Sequence, residues 1–193
     1  MSNVLIINAH HHYPFSPGNL SQSFVDKAQT LLANKGYNIQ ISKPSEGFDV
    51  EAALAQHQWA DIVLVQMPLN WMGVPWSFKK YMDEVYTAGM GGALCHGDGR
   101  SADAPQKNYG RGGTLGGTRY MLSVTANAPQ QAFNDPEEFF DGHSIDDLLM
   151  PMHMNFKFFD MTPMPTFSAF DVMKNAQPEA DFARFQDHLE AHF

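Results

Sequence analysis

At 193 residues, 44% hydrophobic and 17% charged, the chain has the length and composition of one globular domain able to bury a full core. Twelve Lys and Arg against 21 Asp and Glu give a formal charge of −9, which argues against nucleic acid or an anionic membrane surface as the main partner. A single cysteine, Cys95, excludes an intrachain disulfide and a thiolate metal cage.

The first strand is expected at Val4–Asn8, almost at the start of the chain, with no basic segment before it. No apolar stretch there is long enough for a secretion signal or a membrane span, so a cytoplasmic location without membrane insertion is expected. A helix is predicted over Asn19–Lys35, with Leu20, Phe24, Val25, Ala28, Leu31 and Leu32 on one face and Gly36 as its C-terminal stop. A less buried strand (Tyr37–Ile41) and a short helix (Val50–Gln58) follow. Asp61–Met67 then reads as a strand buried on both faces, being an apolar, β-branched run too short for a helix.

From about Pro75 to Tyr86 the pattern is helical, with proline at a first-turn position. Residues 87–118 hold ten glycines and little periodicity, and read as a long irregular excursion of the functional or mobile kind. Arg119–Thr125 is the fourth strand, and Ser144–Phe156 a helix. Either Phe158–Met161 or Thr166–Ala169 supplies the last strand, and a helix over Pro178–Phe193 closes the chain. Alternating strands and helices predict an α/β sandwich of three layers in a single domain spanning 1–193. Its sheet would be parallel, with helices on both faces.

Ligands of such sheets bind at the carboxyl ends of the strands, where the strand order reverses. For a sheet of order 2-1-3-4-5 the loops after the first, third and fourth strands meet there. The first loop ends Ser16-Pro17-Gly18-Asn19-Leu20-Ser21-Gln22-Ser23. Asn19 and Gln22 have capping-box spacing, and hydroxyls surround a helix start whose free N–H groups favour a phosphate. The same pattern also serves as a plain helix cap. No Walker lysine follows, and Gly110-Arg111-Gly112-Gly113 precedes a strand, so neither a P-loop nor a Rossmann fingerprint is present.

The second loop, Pro68-Leu69-Asn70-Trp71-Met72-Gly73-Val74-Pro75, is stiffened by two prolines and carries large side chains suited to a planar ligand. Trp71 and Met72 are expected on that ligand, and Trp76, at a helix start, in the core. The third loop, Thr125-Ala126-Asn127-Ala128-Pro129, offers small residues and one amide where a ring edge could meet the backbone. His10-His11-His12 reads as non-metal, since adjacent side chains of an extended loop diverge and no carboxylate or cysteine accompanies them.

Together these segments resemble the flavin-binding loops of the flavodoxin-like NAD(P)H:quinone oxidoreductases, the DT-diaphorase group. Trp71-Met72-Gly73, Ser-x-Gly-x-Leu at 16–20, Lys79-Lys80-Tyr81 and Thr-x-Asn-Ala-Pro at 125–129 look like the bacterial branch called modulator of drug activity B. The resemblance implies a flavodoxin-like five-stranded sheet of order 2-1-3-4-5. It also implies bound FAD (FMN less so), a homodimer with sites at the subunit interface, and two-electron reduction of quinones by NADPH through the flavin, with ping-pong kinetics. It carries flavin contact onto Ser16, Gly18, Asn19, Leu20, Ser21, Gln22 and Ser23, onto Pro68, Leu69, Asn70, Trp71 and Met72, and onto Thr125, Ala126, Asn127 and Ala128, with Tyr109 reaching a flavin from the long excursion.

The animal enzymes' Tyr and His proton relay has no counterpart in Ala128–Phe133. No catalytic residue is assigned, because the flavin carries the hydride. Tyr109 and His10 are candidates for steering or proton supply. A flavodoxin-like electron carrier and a transporter-accessory flavoprotein stay open as other readings.

Overall fold

A computed structural model describes residues 2–193. Val4-Leu5-Ile6-Ile7 forms the middle of strand β1 (Asn3–Asn8), and all four side chains are buried. An unalternating apolar run of this kind belongs to a strand covered on both sides. Helix α1 (Asn19–Asn34) leads to β2 (Asn38–Ser42), whose side chains stay half-buried because it lies at the sheet edge. Helix α2 (Val50–Trp59) and strand β3 (Ile62–Pro68) follow, then β4 (Arg119–Thr125). All pairings are parallel, in the order β2-β1-β3-β4.

The fifth position is split. Thr162–Pro163 (β5) and Phe167–Ala169 (β6) both pair with β4, at its start and its end. Pro163 and Pro165 have no N–H to give the ladder, so a continuous strand cannot form there. The Thr166–Ala169 alternative thus held, whereas Phe158–Met161 ends a helix and turns.

Strand residues alternate between two cores. Val4, Ile6, Ile62, Leu64 and Met121 face α1 and the last helix, α7 (Pro178–His192), packing on Phe24, Leu32, Phe185 and Leu189. Leu5, Ile7, Val63, Val65 and Leu122 face the opposite side, against Phe78, Tyr81, Val85 and Phe156. Helix α1 stops where glycine was expected. Gly36 (φ 87°) donates its N–H to the Ala33 carbonyl and Tyr37 to that of Leu32, both at 3.0 Å, the paired bonds of a left-handed C-terminal cap.

The helix after β3 comes in three stretches. Trp76–Tyr81 (α3) passes into a π-turn over Met82–Tyr86 and ends in Thr87–Gly89 (α4). The expected Ser144–Phe156 helix is two helices, α5 (Ile145–Leu148) and α6 (Met150–Phe158), because Pro151 starts a new first turn.

The glycine-rich excursion is irregular but tightly packed. Leu94 and Cys95 are fully buried, and Leu115 N–H donates to the Phe159 carbonyl at 3.0 Å. A Cβ on Gly113 would lie 2.3 Å from the Phe159 carbonyl carbon, so only glycine permits that crossing.

Candidate cofactor-binding site

The carboxyl ends of β1, β3 and β4 open into one cavity of about 1340 Å³. At one end stands the N-terminus of α1. The residue before the helix is Gly18, in the left-handed region (φ 91°), and no side chain caps the first turn. This corrects the capping box expected of Asn19 and Gln22. Asn19 is already helical, and the Gln22 amide is engaged elsewhere, accepting from Asn8 Nδ2 (3.2 Å) and donating to Asp26 (2.6 Å). Helices α2 and α5, by contrast, are capped by Asp49 and Ser144. The intrahelical bonds of α1 begin with Gln22 N–H to the Gly18 carbonyl, so the N–H groups of Asn19, Leu20 and Ser21 are left free at the cavity wall. An open helix start of this length binds anions.

His10 lies against that turn. A Cβ on Gly18 would come within 2.6 Å of His10 Nδ1, and His10 Nε2 is 3.3 Å from Ser16 Oγ. Burial lowers the His10 pKa, and His11 and His12 lower it further. The imidazole is therefore uncharged at neutral pH, and the attraction for an anion comes from the helix. His11 packs edge-on to Tyr13 (4.9 Å) and against Trp76 (4.7 Å), and His12 lies beside the Pro17 carbonyl, so the three rings serve different neighbours.

The loop after β3 folds into a two-residue turn. Asn70 N–H donates to the Gly73 carbonyl at 2.9 Å, and Gly73 N–H returns the bond at 3.0 Å. Its central residues, Trp71 (φ 48°) and Met72 (φ 62°), are both left-handed, in places where Asn-Gly is the usual pair. Holding two bulky residues there costs about 1–3 kcal/mol each. The backbone N–H groups of Trp71 and Met72 have no partner among the described residues, and the Trp71 side chain is 97% exposed. The turn is anchored by Leu69 N–H donating to the Thr125 carbonyl at 2.8 Å.

Beyond β4, Ala126 N–H bonds to Ala169, while Val172 and Asp171 N–H bond back to Ala126 and Ala128. That knitting of the loops after β4 and β6 brings Val172 and Met173 to the cavity.

Of the residues expected at the site, Ser16, Gly18, Asn19, Leu20, Ser21, Pro68, Leu69, Asn70, Trp71, Thr125 and Asn127 line this cavity. Gln22 and Ser23 point elsewhere, Ser23 Oγ donating back to the Asn19 carbonyl. Met72, Ala126 and Ala128 adjoin the cavity without lining it. Tyr109 lies off it, packed on Phe158 (5.8 Å) and under the Arg100 guanidinium (5.6 Å).

The wall formed by α3 was not expected. Trp76, assigned to the core from sequence, is 58% exposed and lines the cavity, because Phe78 and Tyr81 take the inward face of its helix. Lys79, Lys80, Asp83 and Glu84 continue the same face at helical spacing, paired as Lys79 with Asp83 and Lys80 with Glu84. Following that periodicity outward from Trp76 would have found them; nothing local marks Val172 or Met173. Behind Trp76 a side chamber of about 270 Å³ is lined by His11, Phe48, Ser77 and Lys80, among others.

A family model for the flavodoxin-like fold matches residues 2–193. The chain belongs to that flavodoxin-like family. Among relatives in it, the NADPH:quinone oxidoreductase MdaB of Haemophilus influenzae is 41% identical over 191 residues, 99% of each chain. A solved Klebsiella pneumoniae structure shares the flavodoxin-like fold with a TM-score of 0.80 at 23% identity, covering 99% of this chain and 85% of that one. Another, the general stress protein 14 of Treponema denticola in complex with FMN, has a TM-score of 0.68 at 19% identity, with 99% of each chain covered.

Proposed function

We propose that this protein is a flavin-dependent NAD(P)H:quinone oxidoreductase that reduces quinones by two electrons in a ping-pong sequence. One observation carries the reading. A single cavity joins the uncapped start of α1, suited to a phosphate, to the strained Asn70–Gly73 turn, whose free N–H groups suit the polar edge of a flat ring. The full-length similarity to MdaB supports the choice of reaction.

Bound flavin supplies the hydride acceptor and donor that no side chain can. Asn19, Leu20 and Ser21 N–H would hold its phosphate, assisted by Ser16. Leu69, Asn70 and Trp71 would flank the ring, with Thr125 and Asn127 at its edge. The Trp71 and Met72 N–H groups would stabilise negative charge on the reduced ring, as fixed donors do. Trp71 stands at the mouth, where an apolar acceptor would enter.

FAD is favoured over FMN. The cavity exceeds the roughly 300–1,000 Å³ of common small-molecule sites, and the side chamber at Trp76 and Phe48 has room for an adenine. A homodimer fits the exposed apolar residues Met150, Met154 and Tyr109, and a partner subunit's excursion would then bring its Tyr109 to the flavin. A cytoplasmic location, where NADPH is available, belongs to the same reading.

The test is to release the bound flavin by heat, identify it chromatographically, and measure NADPH consumed against hydroquinone formed without oxygen. FAD and a one-to-one ratio are expected. A colourless protein, or NADPH consumption without hydroquinone, would overturn the proposal.

A further inference from the structure

Lys79 and Lys80 are the only permanently charged cations lining the main cavity among the described residues. His10 offers no cation at neutral pH, since burial and its histidine neighbours keep it unprotonated. A phosphate in the cavity beyond the reach of the α1 start finds permanent positive charge only at these two lysines. They differ in setting. Lys80 borders both the main cavity and the side chamber, with its ammonium 6.0 Å from the Phe48 ring centre. Lys79 borders the main cavity alone. Its ion pair with Asp83 lies within one helix turn, and both side chains are more than half exposed. Such a pair is weak and screened by salt, and a phosphate dianion is a stronger acceptor that draws the ammonium to itself.

We infer that Lys79 reads the 2′-phosphate of the hydride donor and makes this site prefer NADPH over NADH. The inference rests on the flavin and NAD(P)H reading of the cavity. One phosphate run, that of the flavin, is accommodated by the N–H groups of α1, and the side chamber bordered by Trp76 and Lys80 is given to the flavin adenine. The second nucleotide brings its own phosphates, and Lys79, which lines the main cavity but not that chamber, is the lysine left to meet them.

The decisive measurement is calorimetric titration of the flavin-loaded protein with adenosine 2′,5′-bisphosphate and with adenosine 5′-monophosphate, which needs no turnover. Removing one charge-assisted contact in Lys79→Gln should weaken the bisphosphate roughly 10- to 100-fold and the monophosphate by no more than about threefold. Asp83→Asn, which frees the ammonium, should tighten the bisphosphate. In steady state Lys79→Gln should raise KM for NADPH far more than for NADH, with kcat for NADPH preserved.

Equal weakening of both adenosine ligands would overturn the inference. So would Lys79→Gln protein that purifies with less flavin than wild type, since Lys79 would then serve the flavin phosphates instead. If the wild type oxidises neither dinucleotide, the oxidoreductase reading falls, while the two adenosine ligands still decide the role of Lys79.

Discussion

Asn70 and Gly73 exchange both of their backbone hydrogen bonds across two left-handed residues, at 2.9 and 3.0 Å. Strain of this kind persists only where the surroundings over-determine it, and it gathers at ligand sites. Proline on either side, together with the Leu69 to Thr125 bond, supplies that determination.

Met72→Gly puts the preferred residue at the second turn position. Relief of about 1–2 kcal/mol of strain, less the added entropy of an unfolded glycine, leaves a net gain near 0.5–1 kcal/mol in urea unfolding of the flavin-free protein. A loss of stability would show that Met72 contributes packing beyond its half-exposed position.

Trp71→Ala should weaken flavin roughly tenfold, by fluorescence titration, through loss of an aromatic contact worth about 1.5 kcal/mol. Trp76→Ala should leave thermal stability within about 2 °C of wild type, because its ring is mostly outside the core. A large drop in Tm for Trp76→Ala would return that residue to the core.

Gly18→Ala meets two obstacles, a left-handed backbone and a Cβ 2.6 Å from the His10 ring. A stability loss of about 1–2 kcal/mol and weaker flavin binding are expected together. His10→Ala in the same chain should recover part of the loss, and a fully additive double mutant would contradict the contact.

His57 is fully buried, shares a hydrogen bond with the Tyr81 hydroxyl through Nε2 at 3.1 Å, and has no partner for Nδ1. Burial lowers its pKa to about 4. The folded protein therefore binds fewer protons than the unfolded chain between about pH 4 and 6.5. Stability is full above the unfolded value and falls on acidification through this window, by an order of magnitude near 3 kcal/mol from this group. Urea unfolding of wild type and His57→Gln between pH 7 and 5 checks it. Equal slopes would remove His57 as the cause.

Tyr120 is the second residue of β4, at the end of the sheet away from the cavity, and its hydroxyl meets His153 Nδ1 at 2.7 Å, while His153 Nε2 meets Asp146 at 3.2 Å. Burial, then the Asp146 charge, pushes the Tyr120 pKa up to about 12, so it stays protonated and can donate. Tyr120→Phe should cost about 1 kcal/mol of stability and leave flavin affinity unchanged. A change in flavin affinity would show that the two ends of the sheet are coupled.

Much of the architecture was legible in the chain. Unalternating runs rich in β-branched residues at Val4–Ile7 and Ile62–Val65, too short for helices, read as strands covered on both faces, and the helices between them impose parallel pairing. The sequence also pointed to the loops that line the cavity, because Ser16–Ser21, Pro68–Trp71 and Thr125–Asn127 lie in or next to the loops after β1, β3 and β4. These are short-range properties, carried by residue type and spacing.

Packing decided the rest. Gly18 rather than Asn19 stands before α1, because the close approach of His10 requires a residue without Cβ, and so the helix start is left open for a ligand. Trp76 faces outward because Phe78 and Tyr81 claim the buried side of α3. Val172 and Met173 reach the cavity only through bonds to Ala126 and Ala128, more than forty residues earlier in the chain. Spacing along a chain settles which side chains share a face, but which face turns inward depends on what else competes for the core.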